Sequence, residues 1–259
     1  MIVRDFKDCT ALVSGSTGGI GFEIAAQLAE AGVPRLMING RGQERGEEAA
    51  ARIRQRAPAC DVRFTAADPS VQEQAKRLVQ STVDAFGALD ILVTSISGKL
   101  SPRPFHEVPE DAIDRLVAAH LQSVLYTCLA AMPHLMAREG GVIINMSSDA
   151  AKIATPGEVV QGACKAAVSM FSRTLALEGS RHGIRVHSLT PSIIKKTDAY
   201  NMVMADEFSK KLFEKASARA RLGVPGPEDI APMAVFLASP AASKITGQTI
   251  SINGGISAG

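Results

Sequence analysis

Nine residues near the amino terminus, Val13-Ser14-Gly15-Ser16-Thr17-Gly18-Gly19-Ile20-Gly21, restrict what this chain can fold into more than any other stretch. They follow an apolar run, Ala11 to Val13, and lead into Phe22 to Ala31, where Ile20, Ile24, Leu28 and Ala31 recur at helical spacing. The reading is strand, glycine turn, helix. Such a turn aims backbone N–H groups and a helix N-terminus at one point. The first N–H groups of a helix lack intrahelical partners, so that point suits a phosphate. Gly15 can take positive φ in the tight turn, Gly19 lets a pyrophosphate approach the backbone, and Gly21 lets the helix pack closely on the strand.

Downstream, strand and helix patterns alternate. Arg35 to Asn39 reads as a second buried strand after Gly32, a helix-ending glycine; Glu44 to Arg56 reads as a solvated helix closed by Pro58. Asp61 to Ala66 is a third strand, and Ser70-Val71-Gln72-Glu73 matches a capping box opening the next helix. Leu89 to Val93 is a fourth strand, Glu110 to Arg138 a helix with a kink or break expected at Pro133, and Val142 to Ile144 a fifth strand. Gly157 to Ser180 is helical, Ile184 to Leu189 and Thr249 to Ile252 are late strands, and Pro227 opens a helix between them at its first position. This alternation predicts a single α/β domain over residues 1–259, a Rossmann-type doubly wound parallel sheet with helices on both faces. Ligands bind outside the carboxyl ends of such strands, so the chemistry is expected just after Val13, Asn39, Ala66, Val93, Met146 and Leu189.

Composition narrows the partners. A net charge of +2, no Trp and two Tyr argue against a nucleic-acid ligand. No apolar run approaches the ~18 residues that cross a bilayer, and the first residues lack the layout of a signal peptide, so no membrane partner and a cytoplasmic location are expected. Cys9, Cys60, Cys128 and Cys164 form no C-x-x-C pair and read as buried small hydrophobes, leaving no metal site in view.

An enzyme preferring NAD usually ends its second strand in a carboxylate that accepts from the ribose 2′-hydroxyl. Here the position is Gly40, followed by Arg41, whose guanidinium suits a 2′-phosphate. NADP(H) is thus favoured over NAD(H), the alternative being that Arg41 is a solvated loop residue. Asp68, after the third strand, reads either as an acceptor for an adenine amine or as a helix-start residue.

These motifs together resemble the short-chain dehydrogenase/reductases from about residue 6 to residue 255. Ser14 to Gly21 is similar to the family's T-G-x-x-x-G-I-G, and Asp90-Ile91-Leu92-Val93 looks like the lead-in to its N-N-A-G segment, which here reads Thr94-Ser95-Ile96-Ser97. Arg221-Leu222-Gly223, Glu228-Asp229-Ile230-Ala231, Phe236-Leu237-Ala238-Ser239, Thr246-Gly247-Gln248 and Asn253-Gly254-Gly255 resemble its closing stretch. The resemblance implies a nicotinamide-dependent oxidoreductase of small carbonyls or alcohols. It implies cofactor contacts from Gly15, Ser16, Thr17, Gly19, Ile20, Gly21, Arg41, Asp68, Ser95, Lys165, Pro191 and Ile194.

At the catalytic positions the match degrades. The family carries a Ser after the fifth strand, the Tyr of Y-x-x-x-K thirteen residues later, and an Asn on the preceding helix. Ser148 fits the first and Lys165 the lysine, but Gln161 stands where the tyrosine would be and His120 where the asparagine would be. An amide donates hydrogen bonds yet cannot surrender a proton near neutral pH. Losing a general acid costs typically ~10² to 10⁴ in rate, so proton delivery must differ here. Lys165 acting through water, His120 with its near-neutral imidazole, or a substrate needing no enzyme acid could fill the gap. A non-redox or catalytically silent nucleotide-binding relative is the alternative reading. The family further implies a substrate lid at about residues 192–220 and a homodimer or homotetramer formed through the helices Glu110 to Arg138 and Gly157 to Ser180.

Overall fold

The structure, a computed structural model, describes residues 2–98 and 100–258. Among these, seven strands form one parallel sheet: β1 (Thr10–Ser14), β2 (Arg35–Gly40), β3 (Asp61–Ala66), β4 (Ile91–Thr94), β5 (Gly141–Met146), β6 (Ile184–Pro191) and β7 (Thr249–Ile252). Their order is β3-β2-β1-β4-β5-β6-β7, so the direction of winding reverses between β1 and β4. The helices are α1 (Gly19–Glu30), α2 (Gln43–Arg56), α3 (Gln72–Phe86), α4 (Glu110–Val117), α5 (Ser123–Ala137), α6 (Val159–Ser180), α7 (Asp198–Met204), α8 (Glu207–Ser217) and α9 (Pro227–Ala238).

Strand side chains point alternately to the two faces, and the apolar runs satisfy both. Ala11, Val13, Ile91, Val93, Val142 and Ile144 join residues of α1, α2 and α9 in one core. Leu12, Leu92 and Ile143 join α3, α5 and α6 in the other. The expected doubly wound fold is the one formed. The four cysteines are free and buried, as expected.

Three local expectations need correction. The capping box at Ser70 does not form: Val71 is the N-cap of α3 without a side-chain bond, because Ser70 donates from both N and Oγ to Asp68 Oδ1, at 3.0 and 2.6 Å. The long helix breaks before Pro133 rather than at it, in a π-helical turn over Ala118–Gln122, while α5 continues through Pro133. The carbonyl that loses its donor to Pro133 belongs to Leu129, whose side chain is exposed and on the solvent side. Finally, the helical stretch Glu110–Ala137, 28 residues with the π turn included, is long and apolar enough to cross a bilayer by length and composition alone. Its inner residues Val124, Cys128, Ala131 and Leu135 are nevertheless packed in the core.

Candidate active site

The carboxyl end of the sheet collects the chemistry. At the glycine turn Gly15 has φ +65°, and a Cβ there would lie 2.5 Å from the Ser95 carbonyl oxygen; a Cβ on Gly21 would lie 2.4 Å from the Gly15 carbonyl oxygen. Both glycines are therefore required for the loops after β1 and β4 to close on each other. At Gly19 (φ +57°) a Cβ would meet the Thr197 side chain, with Cγ2 at an ordinary 3.6 Å. No side chain caps Gly18 at the start of α1, and the first turn, which includes Ile20, carries no acid. The cradle fits a pyrophosphate: no side-chain cap takes up the first N–H groups of α1, and Gly18, Gly19 and Gly21 put no side chain of their own in the way.

Ser16 differs from the expectation of a cofactor-binding side chain. It is fully buried, its N–H donates to the Asn39 carbonyl at 2.9 Å, and its Oγ donates to the Val13 carbonyl while accepting from Asn39 N–H. Those groups hold the turn and have nothing left for a ligand. Asn39 is the pin: its Oδ1 accepts from Gly15 N–H and its Nδ2 donates to the carbonyls of Thr65 and Ala67. A polar residue ending an otherwise apolar strand was the available signal for it.

Thr17 packs against Gly40, where an added Cβ would sit 2.5 Å from Thr17 Cγ2. The end of β2 thus has no room for a carboxylate side chain. Arg41 Nη1 lies 3.9 Å from Asp68 Oδ2, and Asp68 N–H donates to Gln74 Oε1. Arg45, on α2, was not singled out by sequence: its guanidinium covers Gly18, which a Cβ would bring to 2.9 Å from Nη2, and it pairs with Asp198 at 2.7 Å.

Around Ser148 the expected residues converge. Ser148 Oγ accepts from Ala150 N–H at 3.3 Å as the N-cap of a short 3₁₀ turn, Asp149–Ala151, and keeps its own proton to donate. Lys165 is buried and its Nζ donates to the Met146 carbonyl at 2.8 Å; burial lowers its pKa to about 8. Ser147 Oγ donates to the Lys165 carbonyl. His120 sits in the π turn, and its Nε2 accepts from Gly98 N–H at 3.2 Å. Its Nδ1 is buried and unpartnered among the described residues. Burial, then the Lys165 charge, push its pKa down to about 3, which corrects the expectation of near-neutral titration: a neutral imidazole has no proton to spare as an acid. Gln161 Nε2 donates to Glu158 Oε1 at 3.0 Å. Glu158 was missed by sequence reasoning, although its position three residues before Gln161 on one helical face was a signal.

Three loops wall the site. Ser95 N–H donates to the Ser14 carbonyl, Arg103 N–H to the Gly157 carbonyl, and Ser209 Oγ, buried on α8, to the Pro102 carbonyl at 2.7 Å. Pro191 ends β6 opposite Ile252, and the buried Ile194 accepts at its carbonyl from Thr197 Oγ1, which caps α7.

Sheet order, switch point and uncapped glycine turn define the class: a doubly wound protein of the dinucleotide-binding fold. Comparison with known proteins is specific. The family described as enoyl-(acyl carrier protein) reductase matches residues 15–257. Dehydrogenase/reductase SDR family member 4 of Homo sapiens is 32% identical over 95% of this chain and 86% of its own. A 3-oxoacyl-(acyl-carrier-protein) reductase of Staphylococcus aureus is 32% identical over 95% and 97%. A gluconate 5-dehydrogenase from Burkholderia cenocepacia, solved in complex with NADP and tartrate, superposes with a TM-score of 0.87 at 28% identity, covering 98% of this chain and 96% of that one. The chain belongs to the short-chain dehydrogenase/reductase family and is an oxidoreductase of that type.

Proposed function

We propose that this protein is an NADP(H)-preferring oxidoreductase that interconverts a small carbonyl compound and its alcohol, with a proton route that does not use the family's tyrosine. The observation that carries the reading is the bond of buried Lys165 to the end of β5, beside Ser148 and at the same end of the sheet as the open N-terminus of α1. A bound dinucleotide would supply or accept the hydride. Gly15, Thr17, Gly19, Ile20 and Gly21 would hold its pyrophosphate, and Lys165 with Ser95, Pro191 and Ile194 its nicotinamide half. Ser148 Oγ donates to the substrate oxygen as charge grows there.

Preference for the 2′-phosphate is supported by the crowding of Gly40 against Thr17, which leaves no room for a carboxylate side chain at the end of β2 itself, and by the exposed Arg41 and Arg45 nearby. The B. cenocepacia relative was solved with NADP. The segment at about 192–220 serves as lid: Asp198 is paired to Arg45, and α8 is docked on Pro102. Exposed Leu129 and Met136 on α5 and Met170 and Leu177 on α6 fit a homo-oligomer, dimer or tetramer, formed through these helices. The only further partner this reading needs is a small-molecule substrate, in the cytoplasm, without nucleic acid or membrane.

Nicotinamide absorbance, followed across ketones, quinones and alcohols at several pH values, tests the reading. Turnover with NADPH above NADH is expected; binding of both cofactors with no turnover of any substrate would instead favour a silent nucleotide-binding protein.

A further inference from the structure

Gln161 cannot give up a proton, neutral His120 holds its remaining N–H too tightly to act as an acid near neutral pH, and the Lys165 ammonium is engaged with the Met146 carbonyl. A further titratable group touches Gln161 directly. Glu158 is the N-cap residue of α6, half-buried, and its Oε1 accepts from Gln161 Nε2 at 3.0 Å. Glu158, Gln161 and Lys165 follow one another at i, i+3 and i+7, along one face of the helix. The start of that helix is pressed onto the turn that follows Ser148: Gly162 N–H donates to the Glu158 carbonyl, and a Cβ on Gly162 would lie 3.0 Å from the Ala150 carbonyl oxygen. On the other side Gly157 is bonded to Arg103 N–H, which closes the loop after β4 over the same corner.

From this arrangement we infer that Glu158 is the proton donor of the reaction, its carboxylic acid held in place by the Gln161 amide; the inference rests on the reductase reading above. Oε1 is occupied by the amide, so the acid proton resides on Oε2. In the reducing direction the substrate C=O π pair moves onto oxygen as its carbon gains hydride. The Oε2–H bond of Glu158 breaks, its electron pair stays on the carboxyl group, and the proton bonds to the substrate oxygen. The resulting carboxylate is reprotonated from solvent. Gln161 favours that product state, since an N–H to a carboxylate is stronger than one to a neutral acid. In the oxidising direction the same carboxylate takes the alcohol proton.

The surroundings supply an acid that is still protonated near neutral pH. Burial and then the charge of Asp149 raise the Glu158 pKa to about 7, against the lowering effect of the Gln161 bond. Asp149 is itself buried and accepts from Ser257 Oγ and Asn253 Nδ2, so it stays where it acts on Glu158. Among the described residues, charged groups on the surrounding elements include Lys152, just after the 3₁₀ turn and held by Ser251 Oγ, Arg103 on the loop after β4, and Lys165 on α6, engaged with the Met146 carbonyl.

The test has two readouts on the full chain. In the cofactor-free protein, the Gln161 side-chain amide is followed by ¹⁵N NMR from pH 5 to 9. An inflection near pH 7 that disappears in Glu158→Gln is expected. In turnover, Glu158→Gln should lose about 10² to 10⁴ in reduction rate, the usual yield of a general acid, with cofactor affinity kept. Glu158→Gln combined with Gln161→Tyr should regain part of that rate, which a merely structural role for Glu158 would not allow. A flat amide titration, or a Glu158→Gln variant as active as the wild type, overturns the assignment while the reductase reading stands. A wild type that reduces no carbonyl overturns the reductase reading, and the donor role falls with it.

Discussion

Lys165 Nζ donates to the Met146 carbonyl oxygen at 2.8 Å, tying an ammonium on α6 to the last residue of β5, two positions before Ser148. The bond fixes where the charge lies, and with it the state of His120, whose pKa that charge helps to depress.

Lys165→Met should therefore act twice. Cofactor affinity and turnover fall together if the ammonium holds the nicotinamide ribose, and removing the positive charge moves the His120 pKa upward. Calorimetric titration with NADPH and a ¹H–¹⁵N imidazole titration read the two effects; an unchanged affinity would remove Lys165 from the cofactor site.

His120 gives a pH dependence with a definite sign. Its folded pKa of about 3 lies below the ordinary 6.5, so between these values the unfolded chain binds a proton that the native state refuses, and stability falls as pH falls. At pH 5 the cost relative to pH 7 amounts to about 2 kcal/mol. His120→Asn should lose that much less on acidification in urea unfolding at the two pH values, since the buried His187, also depressed, to about 4, is common to both proteins.

Arg41→Ala tests cofactor choice. A guanidinium–phosphate hydrogen bond contributes roughly 1.5–3 kcal/mol, so NADPH should bind roughly 10- to 100-fold more weakly while NADH is unaffected. Equal losses for both cofactors would mean that Arg41 does not meet the 2′-phosphate, and Arg45 would be the next residue to replace.

Asp90 lies at the opposite end of the sheet and is 2% exposed; it accepts from Thr10 N–H and Arg138 Nε, with Arg4 at 3.7 Å. Removing one partner of a buried ionic cluster costs about 3–5 kcal/mol, so Asp90→Ala should lower the melting temperature sharply without changing cofactor specificity in whatever remains folded.

Where local patterns decide, the sequence is a sufficient guide. β3 and β7 keep their expected bounds, Pro227 opens α9, and Gly32 ends α1, because alternation, a proline φ and a glycine αL position are properties of a few adjacent residues. The capping box at Ser70 fails for an equally local reason, that Asp68 competes for the same hydroxyl. The π turn at His120 carries no such local mark. It sits where Ser123 Oγ bonds back to the Ala119 carbonyl and where Gly98 N–H reaches His120 Nε2 from another loop.

What the sequence determined by itself is the sheet, the glycine turn, and the placing of Ser148 and Lys165 at the end of one strand and on one helix. The tertiary structure decided how these residues are charged and which are spent on scaffolding. Ser16 is turned inward because Asn39, on the neighbouring strand, offers it partners; Arg45 covers Gly18 because α2 packs beside the turn; His120 is neutral because burial and Lys165 make it so; and Glu158 meets both burial and Asp149. Protonation depends on desolvation and on charges brought close by the fold, and neither is a property of spacing along the chain.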